Sequence, residues 1–339
     1  MEKKITDVYA AADIGGTSVK LGLFSEKTEL LKKWEIRTDR SQGGKNILPS
    51  LCSSLISTAG SLHIKGIGIG VPGAVNERSE VHGCVNLGWG YTDLRAEVKR
   101  LMPDTERLAF ANDATAAALG ELYFGAGKGY DSVYLMTLGT GVGGGFALRG
   151  RVINGAHGAA GEIGHIKINP FETVKCSCGG RGCLEQYASA DGLVRLAQNI
   201  LALKEKGRQS RHRETLHIER LFNTDIPSDA SPLEGMQSFS SRDICGLAKE
   251  GDPLCGCIMQ LWGRCMGLAM SSIACSVDPR VFILGGGMSA AGELLTDCIA
   301  PYFREYAYPD CADTGILLAD LGNDAGIYGC AALVSEGTI

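Results

Sequence analysis

The chain has 339 residues, is 45% apolar and carries a formal net charge of −5, with an isoelectric point near 5.8. That length suits two domains better than one, and the apolar content excludes a disordered chain. The acidic balance argues against a nucleic-acid binder, which needs a basic footprint for backbone phosphates.

No apolar run reaches the roughly 18 residues that a transmembrane helix requires. The charged start, Met1-Glu2-Lys3-Lys4, has no signal-peptide pattern. Thirteen cysteines, an odd number scattered through apolar segments, read as reduced thiols and not as a disulfide framework. The expected location is the cytoplasm, with no membrane partner.

In chain order, residues 8–14 read as a strand, Gly15-Gly16-Thr17 as a turn and residues 18–24 as a second strand with alternating apolar positions. Residues 46–58 have helical spacing of Ile47, Leu48, Leu51 and Leu55. Residues 107–111 form a strand that ends at Asn112-Asp113, and a helix starts at Ala114 and runs to Phe124. The first pattern then repeats: an apolar strand over 132–138, a glycine turn from Gly139 to Gly144 and a strand over 145–148. A weaker third version is residues 281–284 followed by Gly285-Gly286-Gly287. Segment 204–213 reads as a solvated basic helix end, 222–242 as a surface connection, and 253–277 as a long apolar helix stopped by Asp278-Pro279. The repeat predicts two similar α/β domains facing one cleft.

Glycine turns let a phosphate approach backbone N–H groups, because no Cβ intervenes. Gly139–Gly144 fits GxGxxG, but a dinucleotide fingerprint needs a helix next, and a strand follows here. No GxxxxGK[ST] occurs, which excludes a P-loop. A hydroxyl beside the glycines, Thr17 in one turn and Thr140 in the other, suits a clamp on β- and γ-phosphates. Asn112-Asp113 has two readings: an N-cap for the following helix, or a carboxylate at a strand end that accepts the proton of a substrate hydroxyl. His165 with Cys176, Cys178 and Cys183 supplies a full tetrahedral shell for structural zinc; the alternative is a group of free thiols near a core histidine. Such an ion would pin the loop that carries Glu162 and Glu185.

These motifs together resemble the ROK family (repressors, open reading frames, sugar kinases). The matching stretches are Asp13-Ile14-Gly15-Gly16-Thr17, Gly70-Val71-Pro72-Gly73, Asn86-Leu87-Gly88-Trp89, Asn112-Asp113-Ala114, Gly139–Gly145, Gly158–His165 and Cys176–Glu185. The resemblance is strongest to the family's glucokinases. It implies an α/β actin-like ATPase/hexokinase (ribonuclease H-like) fold, as a homodimer or tetramer. The small domain would be 1–112 completed by a C-terminal helix over 325–339, and the large domain 113–324 with a zinc loop over 165–183.

It further implies ATP with Mg²⁺ as phosphoryl donor and Asp113 as base. Asn112, Glu162, His165 and Glu185 would hold a hexose, with Gly73 and Asn86 as lesser contacts. ATP would sit on Asp13, Gly15, Gly16, Thr17, Gly139, Thr140, Gly141, Gly143, Gly144, Gly286 and Gly287. His165 would also bind structural Zn²⁺ beside Cys176, Cys178 and Cys183. Glucose is the favoured substrate, over N-acetylmannosamine, N-acetylglucosamine or fructose. A sugar-sensing repressor is the remote alternative, because the twelve residues before Asp13 leave no room for a helix-turn-helix domain. The gap from His165 to Cys176 is longer than the family pattern.

Overall fold

The structure is a computed structural model and describes residues 7–209 and 225–335. Residues 210–213 of the basic segment, 222–224 of the surface connection and 336–339 of the expected C-terminal helix lie outside those residues. Two compact units divide the chain: Met1–Leu135 with Gly144–Gly161 and Ala319–Ile339, and Met136–Gly143 with Glu162–Leu318. No helix among the described residues is long and apolar enough to cross a membrane.

The predicted repeat emerges as strand order. One five-stranded sheet runs β3-β2-β1-β4-β7, from β1 (Asp7–Ile14), β2 (Ser18–Ser25), β3 (Leu30–Arg37), β4 (His63–Val71) and β7 (Arg107–Asn112). The other runs β10-β9-β8-β11-β12, from β8 (Ser132–Leu138), β9 (Val142–Leu148), β10 (Arg151–Val152), β11 (Val281–Gly285) and β12 (Gly315–Leu318). Three consecutive strands and then two later ones occupy the same order in each. A separate hairpin joins β5 (Glu80–Cys84) and β6 (Trp89–Asp93).

In the first sheet β1 is antiparallel to β2 but parallel to β4, and β4 is parallel to β7. Parallel central strands are covered on both faces and need apolar residues at every position. β1 meets that demand. Val8, Ala10, Ala12 and Ile14 pack with Leu51 and Leu55 of the helix Ile47–Ala59, while Tyr9 and Ala11 pack with Ile327, Cys330 and Ala331 of the helix Ala325–Ala332.

The helix Asp113–Phe124 lies against that same C-terminal helix at backbone distance. A Cβ on Gly329 would come 1.7 Å from Ala116 O, and one on Gly120 would come 2.2 Å from Ala325 O. From another side, a Cβ on Gly145 of β9 would come 2.5 Å from Ala114 O. The fully buried Glu121 side chain accepts hydrogen bonds from the amides of Ala126, Asp320 and Leu321, which anchors the chain leading into the C-terminal helix.

Two expectations need adjusting. β9 begins at Val142, so the second glycine turn is confined to residues 139–141 and the strand takes in Gly143 and Gly144. Lys204 is not solvated: its ammonium meets Asp229 O and the Glu234 carboxylate, and the side chain is 7% exposed. The predicted helix Pro253–Val277 is found with those bounds, N-capped by Asp252 and ended by Asp278 in the left-handed region.

Replacing Gly329 by Ala should cost about 1–3 kcal/mol, the range for overpacking a close-fitted interior. Gly139→Ala, where an added Cβ meets nothing within 4 Å, should change stability by less than about 1 kcal/mol. Urea unfolding of both proteins checks this; a Gly329→Ala protein as stable as the parent would contradict the packing account.

Candidate active site

Ligands of open α/β sheets gather beyond the carboxyl ends of the parallel strands. In the first sheet the register places Asp13 beside Gly70 and Gly70 beside Ala111, so β1, β4 and β7 end together. Their ends carry Asp13, Gly70 through Gly73, and Asn112-Asp113. Gly70 is the spacer: a Cβ there would lie 3.5 Å from Asp113 Cα, 3.6 Å from Asp13 Oδ1 and 3.2 Å from Cys330 Sγ.

The turn between β1 and β2 is closed by Gly15 N donating to Ser18 O at 2.9 Å. Thr38, a residue that no motif flagged, fixes it from outside. Its amide donates to Thr17 O at 3.0 Å and its hydroxyl to Gly15 O at 2.7 Å. Gly16 and Thr17 open onto a pocket of about 450 Å³ that is also lined by Arg37, Thr38, Asp39, Arg40 and Ser41. Two arginines against one aspartate leave that lining net positive, which suits an anionic ligand, and Thr17 is exposed beside it. Asn86, in the short turn Val85–Leu87, presents its carbonyl 3.9 Å from the Cβ position of Gly16.

Asn112 and Asp113 divide their work. Asn112 is the cap: Asn112 Oδ1 accepts from the amides of Ala114 and Thr115, and Nδ2 donates to Gly73 O at 3.3 Å. The helix begins at Asp113, one residue earlier than expected, and Asp113 Oδ1 accepts from Ala114 N at 2.8 Å. The cap reading therefore belongs to Asn112. Gly73 packs on Cys84, whose thiol donates to Pro72 O at 3.0 Å; burial, with a smaller push from Asp113, raises the Cys84 thiol.

In the second unit, His165 Nε2 lies 3.9 Å from Glu162 Oε2 while Nδ1 lies 3.7 Å from Cys176 Sγ. The two ring nitrogens thus face different groups, a carboxylate on one side and a thiol on the other. Donor atoms of His165, Cys176, Cys178 and Cys183 all lie within 4.8 Å of one another, and Cys178 Sγ is 3.6 Å from Cys183 Sγ. Sulfurs on a tetrahedral zinc at 2.3 Å would be about 3.8 Å apart, so the donor set and its spacing fit that ion.

The long approach to Cys176 is braced by residues no motif revealed. Asn169 Nδ2 donates to Tyr187 Oη at 2.9 Å, Tyr187 donates to Glu172, and Arg195 pairs with Glu172 at 2.8 Å. Burial pushes the Glu172 carboxyl up, but Tyr187, the Val174 amide and Arg195 together hold it below its usual value.

Glu185 begins a short helix, Glu185–Ala188, right after the cysteine knuckle. Oε1 accepts from Ser177 Oγ at 3.0 Å and Oε2 from Val142 N at 3.2 Å, so one carboxylate ties the knuckle to the second glycine turn. A Cβ on Gly141 would meet Glu185 Oε2 at 2.7 Å. Gly139 N donates to Gly141 O at 3.0 Å and Thr140 at the tip is exposed. Gly286, at φ 83°, packs against Leu138 just before that turn, where a Cβ would come 2.4 Å from Leu138 O; Gly287 beside it is open.

Burial pushes the Asp13 carboxyl up to about 6, with Lys20 across the hairpin opposing the shift. Above that pH the folded chain holds an ionised, poorly solvated carboxylate. The cost is absent below about pH 4, develops between about pH 4 and 6, where the native state binds more protons than the unfolded one, and is constant beyond, where both are ionised. Asp13→Asn should therefore stabilise the ligand-free protein at pH 8 by up to about 3 kcal/mol, with the gain vanishing near pH 4. Thermal melts of both proteins across that range check it; an Asp13→Asn protein less stable at pH 8 would contradict the assignment.

Known proteins are similar to this chain over nearly its full length. The chain is 33% identical over 336 residues to a glucokinase of Halalkalibacterium halodurans, covering 97% of this chain and 95% of that protein. It is 28% identical over 343 residues to an N-acetyl-D-glucosamine kinase of Haemophilus influenzae, covering 96% and 99%. Among solved structures it matches a ROK family glucokinase from Streptomyces griseus in complex with glucose and AMPPNP, with TM-score 0.70, 31% identity, and 97% and 100% coverage. The duplicated five-stranded sheets form the actin-like ATPase/hexokinase fold. The ROK family model matches residues 9–337, and the chain belongs to the ROK family.

Proposed function

We propose that the chain is an ATP-dependent hexose kinase that transfers the γ-phosphoryl group to the primary hydroxyl of glucose. The observation that carries this reading is the division of labour at the end of β7: Asn112 caps the helix, so Asp113 is not required as a cap. The kinase assignment draws support from the glucokinase relatives and from the solved relative with glucose and AMPPNP. The N-acetylglucosamine kinase relative, at lower identity, favours a second reading in which an N-acetylhexosamine is the acceptor.

In this mechanism Asn112, Asp113, Glu162, His165 and Glu185 bind the sugar hydroxyls, with Gly73 and Asn86 as lesser contacts. Asp113 accepts the proton of the primary hydroxyl as that oxygen attacks the γ-phosphorus. The new O–P bond forms as the bond to the β-phosphate oxygen breaks, and ADP leaves. Backbone amides and hydroxyls of Gly16, Thr17, Thr140 and Gly141 hold the phosphates, with Gly15 and Gly139 closing the two turns and Gly143, Gly144, Gly286 and Gly287 shaping the neighbouring backbone. Mg²⁺, held with the nucleotide near Asp13, would neutralise charge on the phosphates. Zinc on His165, Cys176, Cys178 and Cys183 would be structural, since four protein ligands close its shell.

Asp113→Asn retains size, leaves the Asn112 cap in place, and removes the carboxylate charge and with it the capacity to take a proton. A positioned base contributes about 10²–10⁴ in rate, so kcat should fall by that factor, with the melting temperature nearly unchanged and glucose still binding within a few-fold. Near-normal kcat in folded Asp113→Asn protein would refute the mechanism and turn attention to Glu162.

A further inference from the structure

We propose that Lys167 is the outer donor of the zinc centre, its ammonium hydrogen-bonding Cys183 Sγ and so shielding that thiolate from electrophiles. The proposal rests on the zinc reading above and adds a residue to it.

The geometry is direct. Lys167 Nζ lies 2.7 Å from Cys183 Sγ. The placement is set by backbone pairing: Lys167 forms a bridge with Cys183, flanked by Leu184 N donating to Ile166 O and Ile168 N donating to Gly182 O, both at 2.8 Å. Residues opposite each other in such a pair present their side chains on the same side. Room for the ammonium comes from Gly180, where a Cβ would meet Lys167 Nζ at 2.6 Å. Among the described residues Lys167 has no carboxylate within ion-pair distance, so the sulfur, a thiolate once zinc is bound, is its charge partner. Lys175 belongs to the same ribbon, opposite Arg181, and makes no hydrogen bond to a cysteine sulfur.

Charge explains the use. Zn²⁺ with three thiolates and a neutral imidazole leaves one net negative charge on the centre. An adjacent ammonium balances it, and an N–H donor takes up sulfur electron density that would otherwise attack an electrophile. Outer-shell donors of this kind typically alter metal retention by 10–100-fold when removed. Retention matters here because Ser177, between two of the ligands, donates to Glu185.

The test uses the purified full chain. Zinc content is measured first. Zinc release is then followed with the chromophoric chelator 4-(2-pyridylazo)resorcinol while iodoacetamide alkylates the thiols. Lys167→Met, which keeps the stem and removes the ammonium, should release zinc on the order of 10-fold faster than the parent. Lys167→Arg should stay within a few-fold of the parent, and Lys175→Met should match it. A zinc-loaded parent with Lys167→Met within two-fold of its release rate would overturn the role of Lys167 alone. Equal acceleration by Lys175→Met would replace the hydrogen bond with diffuse electrostatics and overturn it too. A parent without zinc would overturn the zinc reading and this proposal with it.

Discussion

The helix that starts at Asp113 touches its neighbours backbone to backbone. Gly329 and Gly120 bring the C-terminal helix onto it, and Gly145 brings β9 to its first turn. Contacts this close leave no slack for side-chain rearrangement. The first turn of the helix, with Asn112 as cap, is thus held relative to β7, β4 and β1. Asp113 inherits its position from that packing, and Gly70 completes it by leaving space between Asp113 and Asp13. A general base acts at hydrogen-bond distance from its proton donor, about 2.6–3.2 Å, and must be held within about 0.5 Å of the productive geometry; a glycine-lined helix seat is one way to fix a carboxylate that closely.

Precision of this sort conflicts with stability at Asp13. A carboxylate with its pKa raised to about 6 by burial is a liability to the folded chain at neutral pH. Such perturbed groups gather at functional sites, and the parallel strand ends around Asp13 are where this fold gathers ligands. In the second unit Glu185 plays a different part. It links Ser177 of the cysteine knuckle to Val142 at the glycine turn, so order in the knuckle is transmitted to the turn through one side chain.

Much of this was legible in the sequence. The strand–glycine–strand repeat foretold the matching sheet orders, and the Cys-x-Cys-x4-Cys spacing with His165 foretold a cluster whose donors meet. The glycine run overstates the second turn, because glycine signals both turns and close packing. Gly143 and Gly144 belong to β9, and a Cβ on Gly161 would come 2.0 Å from Gly144 O, inside the strand. β4 carries no clear strand signal because Gly66, Gly68 and Gly70 alternate through it. Gly68 needs to be glycine, since a Cβ there would come 1.8 Å from Cys330 O, more than 250 residues away in sequence. Thr38, Glu121, Lys167 and Glu172 act through register and long-range hydrogen bonds, which local pattern cannot reveal.

The central claim is that this protein moves phosphate from ATP to a hexose, and glucose above other hexoses. The most direct measurement is ADP formation by the purified protein with Mg·ATP over glucose, N-acetylglucosamine, N-acetylmannosamine and fructose, each at varied concentration, with the phosphorylated product identified by mass spectrometry. The account predicts the highest kcat/KM with glucose and a single phosphate on the product. Highest kcat/KM with an N-acetylhexosamine would overturn the substrate assignment, and no sugar-dependent ADP formation with any of them would contradict the kinase itself.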